Sequence, residues 1–156
     1  MFLSSGEIIN YHNLGYINVS GWSSGCVSGH GYRLRVGHSI QRYTNAQASH
    51  ESIHMKSSPS IVEPIPDTGY PCVPGAIYLV DSIESGASSI YNIMISPTEE
   101  GILRGINVLG AGLISGDCRI AISVVQPVLI KPNDYYAKLQ FHKDPQQLVK
   151  DCGCPH

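Results

Sequence analysis

Two adjacent acids are the first candidates for chemistry, because Glu99 and Glu100 stand four to five residues before Arg104. Paired carboxylates are suited to holding a metal ion or a cationic partner. The other interpretation is a solvated turn, since the acids follow a Ser-Pro-Thr run of the kind common in turns. The sequence favours the turn and leaves an acidic site open.

The C-terminal end carries a second candidate cluster, made of Cys152, Cys154 and His156. These residue types bind zinc, and Cys26 and His30 are conceivable further ligands. Paired ligands in structural zinc sites are usually separated by about two to four residues, whereas a single residue separates each pair here. The spacing favours free thiols in a terminal tail, so no metal site is predicted.

Length and charge exclude several classes of protein. The 156 residues are close to the commonest domain size, which predicts one domain with an ordinary core. Only 14% of the residues are charged and the net charge is -2, so the chain lacks the electrostatic footprint of a protein that coats nucleic acid or an anionic membrane. We therefore expect neither nucleic acid nor membrane as a partner.

Targeting signals are not recognised in the sequence. The first residues lack the basic start and apolar run of a signal peptide, and no stretch reaches the roughly 18 apolar residues of a membrane span. The five cysteines are odd in number and irregularly spaced, unlike a secreted disulfide framework. These features predict a soluble, cytoplasmic protein with reduced thiols.

The elements that must position these residues are mostly short strands. Ser4 and Glu7 form a capping-box pattern, which predicts one short helix over about residues 5–13. After it, β-rich runs such as 32–36 and 120–125 alternate with turn signals, a pattern typical of an all-β sandwich or barrel. Residues 43–66 are predicted to form a polar loop or insertion. We expect a domain over 1–143 and a tail over 144–156.

Four segments, taken in order, resemble the trimeric dUTPase and dCTP deaminase superfamily. Residues 111–119, Ala-Gly-Leu-Ile-Ser-Gly-Asp-Cys-Arg, are similar to the third motif of that family, and 131–141 are similar to the strand that follows it. Residues 31–35, Gly-Tyr-Arg-Leu-Arg, resemble the first motif, and 97–106 resemble the second. The resemblance implies a distorted β-barrel or sandwich with one short N-terminal helix, assembled as a homotrimer.

The same resemblance implies that most chemical positions are replaced. Arg33 stands where the family has an acid, and Glu99 lies where an Arg-Ser pair binds phosphate. Ser115 replaces the aspartate that orients water, and Lys138 replaces a glutamine. The deaminase glutamate would fall in 119–125, which contains no carboxylate.

Basic and polar groups near a family-type pocket are the candidate ligand-binding residues. Arg33, Arg35, Arg42 and Lys138 either converge on an anion or lie as surface groups on a twisted strand. Asp117 and Arg119 either contact a ligand or form a cross-strand ion pair. The full set of predicted ligand-binding residues is Arg33, Arg35, Arg104, Ser115, Asp117, Arg119 and Lys138.

Two functional hypotheses follow. The first is a non-catalytic homotrimeric module that binds a nucleotide or a partner protein, or serves a structural role in an assembly, without a cofactor. By analogy, a virus-encoded copy of a nucleotide enzyme turned to another use, in the cytoplasm or in a virion, fits this hypothesis. The alternative is a divergent deoxynucleoside triphosphate pyrophosphatase or deaminase, with Mg²⁺ and with Glu99, Glu100 and Asp117 as catalytic groups.

Overall fold

The computed structural model describes residues 1–44, 61–112 and 119–143 of the chain. Its helices are α1 (Ser5–Asn13) and α2 (Glu99–Arg104), and a 3-10 turn spans Ser24–Cys26. The strands are β1 (Ile17–Ser20), β2 (Val27–Ser28), β3 (Gly31–Thr44), β4 (Val62–Pro64), β5 (Tyr70–Cys72), β6 (Ala76–Ser82), β7 (Gly86–Ser89), β8 (Asn92–Pro97), β9 (Ile106–Gly112), β10 (Arg119–Val124), β11 (Val128–Ile130) and β12 (Tyr135–His142).

One antiparallel sheet of eight strands dominates the structure. Its strands run in the order β8-β12-β3-β6-β10-β9, with β2 and β4 also paired to β3. The end strands β8 and β9 lie against each other, so the sheet is nearly closed. Two small ribbons, β1 with β7 and β5 with β11, complete the described strands. The predicted all-β class is confirmed.

Alternating side chains of the sheet form the core, because successive residues of a strand point to opposite faces. In β10 every second residue is buried, and β6 shows the same alternation. The buried residues of these two strands are Ala76, Tyr78, Val80, Ser82, Ile120, Ile122 and Val124. The core is therefore mainly apolar, although the hydroxyl of Ser82 is hydrogen-bonded to that of Tyr136.

The N-terminal helix forms as the sequence predicts. Ser4 is the N-cap of α1, its hydroxyl accepts from the Glu7 N–H, and the Glu7 carboxylate accepts from the Ser4 N–H. Ile8 is the buried residue of this helix. The helix packs near β1, β2 and β3, and the Ser5 hydroxyl donates to the carbonyl of Gly29 in the turn between β2 and β3.

A second helix occupies the place where a turn was favoured. Thr98 caps α2, and its hydroxyl accepts a hydrogen bond from the Gly101 N–H at 3.0 Å. Glu99 and Glu100 in the first turn stabilise the helix, because carboxylates interact favourably with the positive end of its dipole. Gly105 ends the helix at φ 87°, a left-handed conformation that costs glycine little. The prediction of a turn at Glu99 and Glu100 was wrong, although both side chains are exposed to solvent.

Parts of two predicted segments lie outside the described residues. Within the predicted polar loop over 43–66, residues 43–44 belong to β3 and 62–64 to β4, and residues 45–60 are not described. The predicted tail, with Cys152, Cys154 and His156, also lies outside the description. Within residues 1–44, 61–112 and 119–143, no helix has the length and apolar character needed to cross a bilayer.

Candidate functional site

A cleft of about 120 Å³ opens where β3, β12 and the start of α2 meet the turn after β2. Arg33 and Lys138 are direct register partners on β3 and β12. Their sequence neighbours Leu34 and Leu139 are buried, so the alternation of the strands directs the two cations to the opposite face. The cleft is lined by Ser28, Gly29, Arg33, Thr98, Glu99, Glu100 and Lys138.

Arg33 is held in place by its surroundings. Its Nη2 donates to the carbonyl of Gly25 at 2.9 Å, and its Nε donates to the carbonyl of Cys26 at 3.4 Å. The guanidinium carbon lies 3.9 Å from the centroid of the Tyr135 ring, which is cation–π geometry. Two of the five N–H donors of this guanidinium are therefore used within the protein, and its positive charge remains.

The acids of the cleft are free of such contacts. Glu99 and Glu100 are exposed on the first turn of α2, beside the buried cap Thr98. Within the described part of the chain, neither carboxylate forms an ion pair, and the ammonium of Lys138 forms none. Two carboxylates and one ammonium thus remain available to a ligand in this cleft.

This balance of charge is unfavourable to a polyanion. One close contact between like charges costs on the order of a few kcal/mol at the effective dielectric of a protein surface. A triphosphate in the cleft would meet two carboxylates, while Arg33 already donates to two carbonyls. Because Arg33 and Lys138 face Glu99 and Glu100, the charges of the cleft balance, and the arrangement is chemically suited to a ligand of mixed charge.

Arg35 lies outside the cleft, in a buried network around Glu84. The Glu84 side chain is fully buried and accepts from the Tyr32 hydroxyl, the Arg35 N–H and the Arg35 Nε, each at 2.9 Å. The Nη2 of Arg35 lies 2.8 Å from a Glu84 oxygen and donates to the Gly21 carbonyl. Desolvation opposes the charge of Arg35, but the hydrogen bonds and charge of Glu84 outweigh it and raise the pKa of the guanidinium.

The remaining predicted residues are not brought to the cleft by the described structure. Arg104 forms an ion pair with Asp134 at 3.3 Å and donates to the carbonyl of Leu129. Arg119 lies on β10, where its Nη1 donates to the Gln41 side chain. Ser115 and Asp117 lie outside the described residues, as does the predicted ion pair of Asp117 with Arg119. Their roles stay predictions.

Sequence reasoning missed two contributors to this region. Ser28 at the end of β2 and Gly29 in the turn that follows line the cleft, and Gly29 has φ 63°. The Ser-Gly-His-Gly run was a turn signal that could have drawn attention to them. Glu84 gave no such signal, because the network forms only when chain segments 49 residues apart come together.

Comparison with known proteins gives a likeness of structure only. No protein-family model matches the chain, and no curated protein matches it. A solved structure of 2'-deoxycytidine 5'-triphosphate deaminase from Agrobacterium tumefaciens is similar, with a TM-score of 0.61 and 13% sequence identity, covering 90% of this chain and 47% of that one. The chain has a dCTP deaminase-like fold. At this identity the likeness shows the fold alone, and the chain spans about half the length of the enzyme chain.

The cleft lies where the segments that carry the motif resemblance come together in the fold. Arg33 belongs to segment 31–35, Thr98 and the two acids to segment 97–106, and Lys138 to segment 131–141. Three of the four segments that carry the resemblance therefore meet in one cleft. Residues 113–118 of the fourth segment lie outside the description.

Proposed function

We propose that this chain is a non-catalytic, homotrimeric binding or assembly module built on the dCTP deaminase-like fold. The charge of the cleft is the observation that carries this proposal. Glu99 and Glu100 line the same space as Arg33 and Lys138, and Arg33 also donates to two backbone carbonyls. A site organised to bind a triphosphate would not place two unpaired carboxylates beside its donors.

The size of the cleft supports the same conclusion. Sites for small molecules typically have volumes of about 300 to 1,000 Å³. The cleft of one chain offers about 120 Å³, which is below this range. The cleft of one chain is therefore smaller than a typical small-molecule site.

The homotrimeric part of the proposal rests on the motif resemblance and on exposed apolar side chains. Leu103 is 83% exposed and Ile102 is 57% exposed on α2, and Val125 is 67% exposed beside the end of that helix. Exposed apolar side chains that lie together are typical of surfaces that another subunit covers. Light scattering should give the mass of three chains, and a monomer mass would contradict this part of the proposal.

The alternative function, a divergent deoxynucleotide enzyme, is favoured by the meeting of acids and bases in one cleft. Glu99 and Glu100 would then act in catalysis with Asp117 and hold Mg²⁺ together with the phosphates of the substrate. Carboxylates fit such an ion, although no group of three His, Cys, Asp or Glu side chains placed to hold a metal occurs among the described residues.

One assay separates the two functions. The protein is incubated with each common deoxynucleoside triphosphate and Mg²⁺, and the products are separated by chromatography. We expect no hydrolysis and no deamination. Turnover that is abolished by Glu99→Ala or Glu100→Ala, but retained in the control Asp67→Ala, would establish the enzyme. Asp67 is a suitable control because it is an exposed acid that does not line the cleft.

A further inference from the structure

We propose that His12 and Trp22 form a pH-dependent clasp between the C-terminal end of α1 and the loop after β1, and that the clasp tightens when the His12 ring takes up a second proton. His12 lies in the last turn of α1, and Trp22 lies in the loop that follows β1. This switch lies apart from the cleft and does not depend on the function proposed above.

The rings of His12 and Trp22 form a parallel stack. Their centroids lie 3.7 Å apart, and their planes differ by 11°. A cation over the face of an aromatic ring is attracted by the partial negative charge of that face, and tryptophan gives the strongest attraction. A neutral imidazole lacks this attraction, so the stack is stronger when the His12 ring is an imidazolium.

The hydrogen bond of the same ring shows which nitrogen gains and loses the proton. Nδ1 of His12 lies 3.1 Å from the carbonyl oxygen of Ile17. Because a carbonyl oxygen only accepts, Nδ1 is the donor and carries a hydrogen in both charge states. The proton that comes from solvent therefore binds Nε2. The positive charge also strengthens the Nδ1 bond, since charge-assisted hydrogen bonds are stronger than neutral ones.

The position of His12 on the helix adds a third contribution of the same sign. The last carbonyls of a helix carry partial negative charge, so a cation in the last turn stabilises it. α1 has nine residues, and His12 is the basic residue of its last turn. The stack, the hydrogen bond and the helix end thus all favour the charged form of the ring.

The fixed charges around this ring are already engaged. Glu7, at the other end of α1, is paired with Lys143. Arg35 of β3 is paired with the buried Glu84, and Arg33 donates to carbonyls of the loop after β1. Besides His12, the titratable side chains of residues 5–35, which include α1 and the segments packed against it, are Glu7, Tyr11, Tyr16, Cys26, His30, Tyr32, Arg33 and Arg35.

The test follows the fluorescence of Trp22, the single tryptophan of the chain, between about pH 5.5 and pH 8, where histidines change charge. An imidazolium quenches indole emission more strongly than a neutral imidazole, so the emission should fall as the pH is lowered. His12→Gln cannot take up the proton and keeps a donor for the Ile17 carbonyl, so this fall should disappear. His30→Gln removes an exposed histidine from the turn after β2 and should retain the fall.

Thermal unfolding gives a second measurement. The folded protein favours the imidazolium, so the stability that this charge supplies is present in acid and is lost as the pH rises. At about pH 5.5, His12→Gln should lower the melting temperature by about 2 to 4 °C more than it does at about pH 8. His30→Gln should have the same effect at both pH values.

Three results would overturn the proposal: constant emission of the wild type across this pH range, an equal fall in His12→Gln, or an effect of His12→Gln on the melting temperature that is no larger in acid. The first result uses the unaltered protein. His12→Asn takes the place of His12→Gln if that variant does not fold. Turnover of a deoxynucleotide or a monomer mass would refute the function proposed above and leave the clasp untouched, so the two proposals fail separately.

Discussion

Replacement of Arg35 by methionine should destabilise the protein strongly, because it leaves a fully buried carboxylate without its cation. Arg35→Met keeps much of the apolar stem and removes the Nε bond and the Nη2 ion pair to Glu84. Glu84 would retain two donors, the hydroxyl of Tyr32 and the backbone N–H at position 35. A buried charge with incomplete compensation is the expected consequence.

The magnitude follows from the burial of the pair. Breaking a buried ion pair from one side costs about 3 to 5 kcal/mol. The side chain of Arg35 is 22% exposed and that of Glu84 is 0% exposed, so water screens the pair only partly and the lower end, about 3 kcal/mol, applies. For a chain of this size, that loss lowers the melting temperature by about 6 to 12 °C.

Urea unfolding followed by tryptophan fluorescence measures this loss. The chain has a single tryptophan, Trp22, whose ring stacks on that of Tyr32 with centroids 4.9 Å apart, so the reporter lies beside the network. Protein concentration is held constant, because self-association adds to apparent stability. Arg104→Met, at the partly exposed ion pair with Asp134, is the control and should cost no more than about 1 kcal/mol.

A second variant tests the stated cause. Adding Glu84→Gln to Arg35→Met removes the buried charge and keeps the shape of the side chain, so it should recover about 1 kcal/mol or more of the loss. The reasoning is refuted if Arg35→Met is no more destabilising than Arg104→Met. It is also refuted if the double variant is less stable than Arg35→Met alone.

Three further predictions concern the helix α1, a buried thiol and the close approach of two paired strands. The hydrogen bond from the backbone N–H of Ser4 is the main factor that lowers the pKa of the Glu7 carboxyl from 4.5. The stability that this bond provides is therefore present above pH 4.5 and is lost as the pH falls below it. The melting temperature of Glu7→Gln should differ from that of the wild type near neutral pH and converge with it in acid. Burial raises the pKa of the Cys72 thiol to about 12. Alkylation of the native protein at pH 9.0, followed by mass spectrometry, should therefore leave Cys72 unlabelled, and rapid labelling would contradict this. The free energy of unfolding should fall as the pH rises from 9.0 towards 12, because the thiol then ionises in the unfolded chain before it does so in the folded one. Gly31→Ala places a Cβ 2.7 Å from the Leu139 carbonyl oxygen and should cost about 1 to 3 kcal/mol in urea unfolding, whereas Gly110→Ala meets nothing within 4 Å and should be nearly neutral.

Local patterns predicted α1 and the all-β class because the causes lie within a few residues. The capping box joins Ser4 to Glu7, three residues apart, and strand alternation has a period of two. The same kind of local information was available for α2 but was misjudged. Its cap Thr98 and its stop Gly105 enclose only six residues, and such a short run is readily interpreted as a turn.

The candidate site was predictable only in part. Arg33 and Lys138 were expected to converge as one of two alternatives, and the pairing of β3 with β12 places them opposite each other. Arg35, two residues from Arg33, was grouped with it because same-face residues repeat every two positions. It is instead held by Glu84, a partner 49 residues away that no local pattern indicates.

The sequence by itself determined the alternation of the strands, the first helix, the low charge and the motif segments that meet at the cleft. These properties depend on residue type and short spacing, which the chain states directly. Tertiary structure alone decided which charges are free. Arg33 donates to carbonyls of the preceding turn and Arg35 pairs with a buried carboxylate, while Glu99, Glu100 and Lys138 form no ion pair within the described part of the chain. Availability depends on which groups folding brings within hydrogen-bond distance, and that is a property of long-range contacts.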